Sequence, residues 1–303
     1  MSTPMIGLEA EAHLDWLALT RALEAGHLLP RAEIGDTFLY RGRDTVLSRA
    51  AWIDGLGIAV KTATIYPDNP TRNLATIGGA VSLFNDVDGT LAAFLDFKLV
   101  TKWKTAGDSL LSALKLAPPQ VKTILIVGAG TVACSLIEAY HAGFPEAQIQ
   151  IWNRTPDRAQ ALASDLVRPV TDLPNAVAGA DLIVTCTMAT EPVLKGEWIT
   201  QGTHLDLIGA YRPDMRELDD AALTKADLFV DSRATTIGHI GEIEIPLQAG
   251  TITQDDIRAD FYDLSAGLYA RPNPQAITIA KNGGGAHLDL MTSAYIRDAV
   301  AAA

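Results

Sequence analysis

The pattern of apolar and polar positions changes near residue 120. Before it, short apolar runs are separated by turn-forming residues. Residues 45–47, 56–60 and 91–95 read as strands, with Asp54-Gly55, Pro67-Asp68-Asn69-Pro70, Gly78-Gly79 and Asp88-Gly89 as turns between them. A helical stretch follows at 105–116, and Pro118-Pro119 marks a boundary. This part predicts a mixed α+β arrangement. From Lys122 onward, short strand-like runs alternate with helical periodicity in a βαβ pattern. Strands are predicted at 124–127, 149–152, 182–185, 205–208 and 228–230, and helices at 132–141 and 156–166. Such alternation predicts an α/β fold with a doubly wound parallel sheet of the Rossmann type. The C-terminal stretch holds an apolar run at 276–279, a glycine-rich turn and a terminal helix from 288. The expected division is 1–113, 114–272 and a C-terminal segment, 273–303, returning to the first domain.

Composition narrows the function classes. The chain has 303 residues, 48% of them apolar, enough for full cores in one large or two ordinary domains. No run of about 18 uncharged apolar residues occurs, so no membrane span is expected. Met1-Ser2-Thr3-Pro4-Met5 lacks a basic region followed by an apolar stretch and does not read as a leader. Cys134 and Cys186 sit in apolar segments and are expected to be buried free thiols. Together these features suggest a reducing, cytoplasmic setting. The net charge of −12 argues against nucleic-acid and anionic-membrane surfaces. It leaves room for a small anion in a locally positive pocket. His13, His27, His141, His204 and His239 show no metal-ligand spacing, and no metal site is expected.

The most specific chemical signal is Gly128-Ala129-Gly130-Thr131-Val132-Ala133. It is a Gly-x-Gly-x-x-Ala turn with a predicted buried strand before it and a helix after it. Glycine at the first position permits the tight turn, and at the second it lets backbone approach a pyrophosphate. The small third residue lets helix and strand pack closely, while the helix start offers N–H groups and positive potential. Gly128, Gly130, Thr131 and Val132 are therefore candidate dinucleotide contacts. The second strand ends in Asn153-Arg154-Thr155, with no carboxylate at its tip for a ribose 2′-hydroxyl. Arg154 can pair with a 2′-phosphate, and Asn153 and Thr155 can hydrogen-bond it. This favours NADP, with NAD as the alternative.

These motifs, with Val60-Lys61-Thr62, Thr101-Lys102-Trp103-Lys104-Thr105-Ala106, Thr187-Met188-Ala189-Thr190-Glu191-Pro192 and Gly209-Ala210-Tyr211-Arg212-Pro213-Asp214, resemble the ornithine cyclodeaminase/mu-crystallin family. The resemblance runs from about Asp44 to the C-terminus. It implies a homodimer joined through the non-nucleotide domain, and a substrate pocket between the two domains of each subunit. The first domain would then be a substrate-binding and dimerisation domain, and 114–272 the dinucleotide-binding one. Family members act on small amino, keto or imino acids by hydride transfer at the carbon bearing nitrogen.

The resemblance also assigns roles. Lys61 matches the family's substrate-binding lysine; from its own neighbourhood alone it would read as a solvated strand-end lysine. Lys104 stands where the family usually has a carboxylate-binding arginine, so a point charge replaces a bidentate fork. Arg49 is a candidate for the missing fork, with a surface salt bridge as the plainer alternative. Thr187 and Ala189 fall where the family lines the nucleotide. His287 follows the glycine-rich turn 282–286 and is a candidate proton donor, or else a structural residue at the final helix. Tyr211 discriminates between activities, because cyclodeaminases have an aspartate there and a phenol is a poor base at neutral pH. The expected activity is NAD(P)H-dependent reduction of a small imine or ketimine carboxylate, such as pyrroline-2-carboxylate, to an α-amino acid. The alternatives are ornithine cyclodeamination, an amino- or imino-acid dehydrogenase, or a non-catalytic dinucleotide-dependent ligand binder.

Overall fold

The computed structural model describes residues 3–303; Met1 and Ser2, where the reading of the N-terminus began, lie outside the described residues. The chain forms two compact units. One takes the chain up to Lys104 together with Gly285–Ala303, and the other is Thr105–Gly284. Both expected breaks are displaced. A helix continues unbroken from Phe97 to Leu116 across the first one, so Pro118-Pro119 ends a helix and not a unit. Beyond the second, Thr278–Lys281 is still a strand of the parallel sheet, and the chain leaves that sheet only at Gly285.

Among the described residues, the first unit has a six-stranded mixed sheet. Its strands are β1 (Met5–Ile6), β2 (Glu33–Arg41), β3 (Asp44–Ile53), β4 (Gly57–Ile65), β5 (Ile77–Phe84) and β6 (Leu91–Asp96), in the order β1-β6-β5-β4-β3-β2. β1 joins β6 in parallel and the other pairs are antiparallel. Helix α1 (Trp16–Gly26) starts at Asp15, whose carboxylate accepts the Ala18 N–H at 2.6 Å, and this caps the first turn. Helix α2 (Phe97–Leu116) begins eight residues before the predicted 105, because the Asp96 carboxylate accepts the Lys98 and Leu99 N–H groups. Gly78-Gly79, expected as a turn, lies inside β5. A Cβ on Gly79 would come within 2.2 Å of the Thr62 carbonyl and 2.7 Å of the Phe97 ring, so that glycine allows close packing within the sheet and onto α2.

The second unit has an eight-stranded, all-parallel sheet among the described residues. Its strands are β7 (Thr123–Val127), β8 (Gln148–Trp152), β9 (Val167–Pro169), β10 (Leu182–Thr185), β11 (His204–Leu207), β12 (Asp227–Val230), β13 (Ile257–Ala259) and β14 (Thr278–Lys281). The order β13-β12-β14-β11-β10-β7-β8-β9 reverses direction between β7 and β10, the switch point where open α/β sheets bind ligands. β7 and β10 are buried from the second residue on and mostly apolar, as burial on both faces favours. The helices are α3 (Thr131–Gly143), α4 (Pro156–Gln160), α5 (Leu173–Ala178), α6 (Asp220–Leu223), α7 (Arg233–Thr236) and α8 (Gly241–Gln248), with α9 (Ala286–Ala301) closing the first unit. Among the described residues no helix is long and apolar enough to cross a membrane. Cys134 is exposed on α3, contrary to expectation, since Ala133, Ser135 and Leu136 fill the inner side of that turn. Cys186 is partly buried just beyond β10.

Candidate active-site residues

Three loops of the second unit meet at the switch point. Gly128 has φ +122°, and a Cβ there would lie 2.9 Å from the Cys186 carbonyl oxygen, so glycine is required by both backbone and space. A Cβ on Gly130 would meet nothing within 4 Å, so the backbone there faces open space. Gly130 is also the N-cap of the thirteen-residue α3 and makes no side-chain cap bond, leaving the first N–H groups and the helix dipole for an anion. Thr131 and Val132 are exposed on that first turn, while Ala133 is buried. These residues fit a dinucleotide pyrophosphate.

Asn153 is tied in more closely than expected. Its Oδ1 accepts the Ala129 N–H at 3.2 Å and its Nδ2 donates to the Thr155 carbonyl at 2.9 Å, bracing the glycine turn against the loop after β8. Arg154 and Thr155 are exposed there, and Asp157 lies in the first turn of α4.

The loops after β10 and β11 are organised by a residue that sequence reasoning missed. Glu217 is fully buried. Its Oε1 accepts the N–H and hydroxyl of Thr187 at 2.7 and 2.6 Å. Its Oε2 accepts the Thr185 hydroxyl at 2.7 Å and the Gly209 and Ala210 N–H groups at 2.8 and 3.3 Å. The Thr187 hydroxyl in turn accepts the Ala189 N–H at 3.3 Å, so it serves the loop's own geometry. Glu242, also fully buried, accepts the Glu217 and Leu218 N–H groups. Burial, with Glu217 close by, pushes Glu242 up to about 7. Tyr211 is 55% exposed on the β11 loop, with Arg212 over its ring and Arg212 held by Asp214. Asp214 therefore pairs with an arginine, and the cap of α6 is Asp219. At the end of β12, Asp231 accepts the N–H groups of Ser232 and Gly284 and the Thr236 hydroxyl. Among the described residues no group of three His, Cys, Asp or Glu side chains is arranged to hold a metal ion.

The remaining candidates gather in the first unit. One register row of its sheet reads Asp36, Arg49, Lys61, Val81, Leu95 across β2 to β6. On β4 the buried set is Gly57, Ala59, Lys61 and Ala63, so small residues flank one lysine and α9 packs across β3, β4 and β5. Lys61 is 8% exposed, and its Nζ lies 2.8 Å from Asp289 Oδ1 on α9 and 5.1 Å from the Phe97 ring centre. A buried ammonium needs such a counterion. Arg49 forms the ion pair given as its plainer alternative: its guanidinium grips both oxygens of Asp36, at 3.2 and 3.0 Å. Lys104 is buried on α2. His287 is wholly buried at the start of α9, edge-on to His27 with ring centres 5.4 Å apart. Burial first, then the charges of His27, Lys104 and Arg49, holds His287 well below the usual histidine range. That direction disfavours the imidazolium form at this position.

The structure thus brings Arg49, Lys61, Lys104 and His287 into one unit. It puts Gly128, Gly130, Thr131, Val132, Asn153, Arg154, Thr155, Thr187, Ala189 and Tyr211 in the other, on loops and a helix start past the carboxyl ends of its strands.

A switch-point glycine turn and a buried strand lysine fit a dinucleotide-dependent enzyme of the kind the motifs suggested. The chain belongs to the ornithine cyclodeaminase/mu-crystallin family, whose model matches residues 51–303. It is 48% identical over 296 residues to a Delta(1)-pyrroline-2-carboxylate reductase of Paracoccus denitrificans, covering 95% of this chain and 94% of that protein. It is 35% identical over 245 residues to the ketimine reductase mu-crystallin of Mus musculus, covering 80% and 75%. Among solved structures, an archaeal alanine dehydrogenase dimer with bound NAD superposes with a TM-score of 0.90 at 25% identity, covering 100% of this chain and 97% of that one.

Proposed function

We propose that the chain is an NAD(P)H-dependent reductase of a small imine or ketimine carboxylate, with pyrroline-2-carboxylate to proline as the representative reaction. The observation that carries this reading is the nearly end-to-end 48% identity to the Paracoccus reductase. The geometry supports it. The second unit offers a pyrophosphate cradle, and the first offers buried cations for a carboxylate. A bound nicotinamide dinucleotide supplies the hydride for the imine carbon. Lys61 and Lys104 orient the substrate carboxylate, with Lys61 the firmer assignment because it is strand-held and ion-paired. Holding the reactants in contact range provides much of the acceleration. Tyr211, where cyclodeaminases carry an aspartate, shapes the substrate surroundings or donates a hydrogen bond. Net reduction is then favoured over ring-closing ammonia release.

NADPH is the preferred dinucleotide in this reading, because exposed Arg154 follows β8 with no carboxylate at the strand tip. The first unit also serves as the homodimer surface. Its edge strand β2 is exposed along its whole length and presents Ile34, Phe38, Leu39 and Tyr40. The dimeric state of the archaeal alanine dehydrogenase supports this. The test is oxidation of NADPH and NADH against a panel of cyclic and acyclic imino acids, with ornithine as the control. Turnover of a cyclic imino acid is expected. Ammonia release from ornithine without net NADPH oxidation, or tight ligand binding with no turnover, would replace the reading.

A further inference from the structure

The Lys61–Asp289 pair has a geometry that a simple substrate-gripping lysine does not explain. Asp289 is 1% exposed, two residues past His287 on α9, and one of its oxygens bonds Lys61 Nζ at 2.8 Å. Its other oxygen, Oδ2, is buried with no hydrogen-bond partner among the described residues. A carboxylate meant only to neutralise a core charge would have both oxygens satisfied, as Glu217 has in the other unit. The surroundings are otherwise cationic. Arg49 stands beside Lys61 in strand register with Asp36 beyond it, and Lys104 and His27 act on the neighbouring His287. Unopposed, these charges would favour loss of the proton from a buried lysine.

We propose that Asp289 is a positioning residue of the active site: through its 2.8 Å bond to Nζ it fixes where Lys61 stands and keeps it an ammonium, so that a substrate carboxylate meets a preset cation. The pair leaves Lys61 two further N–H groups. Its place beside small Ala59 and Ala63 holds the side chain under α9, where a rotation would separate it from Asp289. The role rests on the reductase reading above. It also explains why one lysine on a strand of small residues is buried.

Two substitutions separate charge from position. Asp289→Asn removes the counterion. It is expected to lower kcat/KM about 100-fold, chiefly through KM for the imino acid, with the dinucleotide Kd held within about twofold. Asp289→Glu keeps the charge but displaces it, so KM should stay above wild type yet below that of Asp289→Asn. An Asp289→Asn protein with wild-type KM overturns the proposal. Should neither variant fold, the Lys61 ammonium resonance of ¹⁵N-labelled wild-type protein decides. A signal whose protons exchange with water more slowly than those of surface lysines supports the pairing, and one exchanging as fast as theirs overturns it. Wild-type protein inactive on every imine defeats the reductase reading itself, whereas failure of the Asp289 role leaves wild-type turnover intact.

Discussion

The two units handle buried charge in opposite ways. In the second, the carboxylates of Glu217, Asp231 and Asp206 are surrounded by donors: backbone N–H groups and hydroxyls around the first two, and Ser109, Tyr140 and Asn282 around Asp206. Lys281, fully buried among them, donates to the Leu207 and Asn282 carbonyls. Each charge is used up in holding strand ends and loops. In the first unit the buried lysine has one carboxylate contact at 2.8 Å, whose second oxygen lacks a hydrogen bond among the described residues. Charge saturated with donors makes a rigid rim for a dinucleotide, and charge left with capacity makes a binding site for a small anion.

Breaking the saturated side should have the largest effect. Glu217→Ala strips the acceptor from three backbone N–H groups. It should cost about 3 kcal/mol of stability and weaken dinucleotide binding ten- to a hundredfold, on the order of 1.4–3 kcal/mol. Thermal unfolding and dinucleotide titration check this. If KM for the imino acid rose instead, with dinucleotide binding intact, the division of labour would be wrong. On the other side, Lys104→Ala should raise the imino-acid KM about tenfold without changing dinucleotide affinity, as loss of one cation contact to the carboxylate implies. Arg154→Ala sharpens the choice of dinucleotide: the NADPH KM should rise about fivefold and the NADH KM stay level, since only a 2′-phosphate uses that charge. The smallest effect concerns Glu242. Its folded value of about 7 lies above the unfolded 4.5, so between those pH values the folded state holds a proton that the unfolded state has released. Its contribution is present at low pH and lost as pH rises through 7. Glu242→Gln should therefore lose more stability relative to wild type at pH 5 than at pH 8. A difference independent of pH would show that Glu242 is ionised throughout.

The dinucleotide half of the molecule was legible because its signals are local. Gly128-Ala129-Gly130 lies between a buried strand and a helix, and β7 and β10 on either side of the switch point are mostly apolar. The first unit was harder. β2 is exposed along its length and shows no alternation, and the glycines of β5 imitate a turn while admitting Phe97 and the Thr62 carbonyl. Lys61 could be assigned only through the family's motifs. Asp289, the residue that changes its meaning, is 228 positions away in sequence. Glu217 lies 30 positions from Thr187. The Asp36–Arg49 pair was not legible either, because nothing in sequence gives the β2–β3 register that brings the two opposite each other. The burial and neighbouring charges that lower His287 are likewise assembled only when α1, α2, β3 and α9 come together.

The most direct test compares wild-type protein with Lys61→Met in NADPH oxidation at saturating dinucleotide and varied pyrroline-2-carboxylate, with proline measured as product. The account expects wild-type turnover, a loss of about 100- to 1,000-fold in kcat/KM for the variant, and an unchanged dinucleotide Kd. Equal activity in the two proteins, or no proline from the wild type with either dinucleotide, would contradict it.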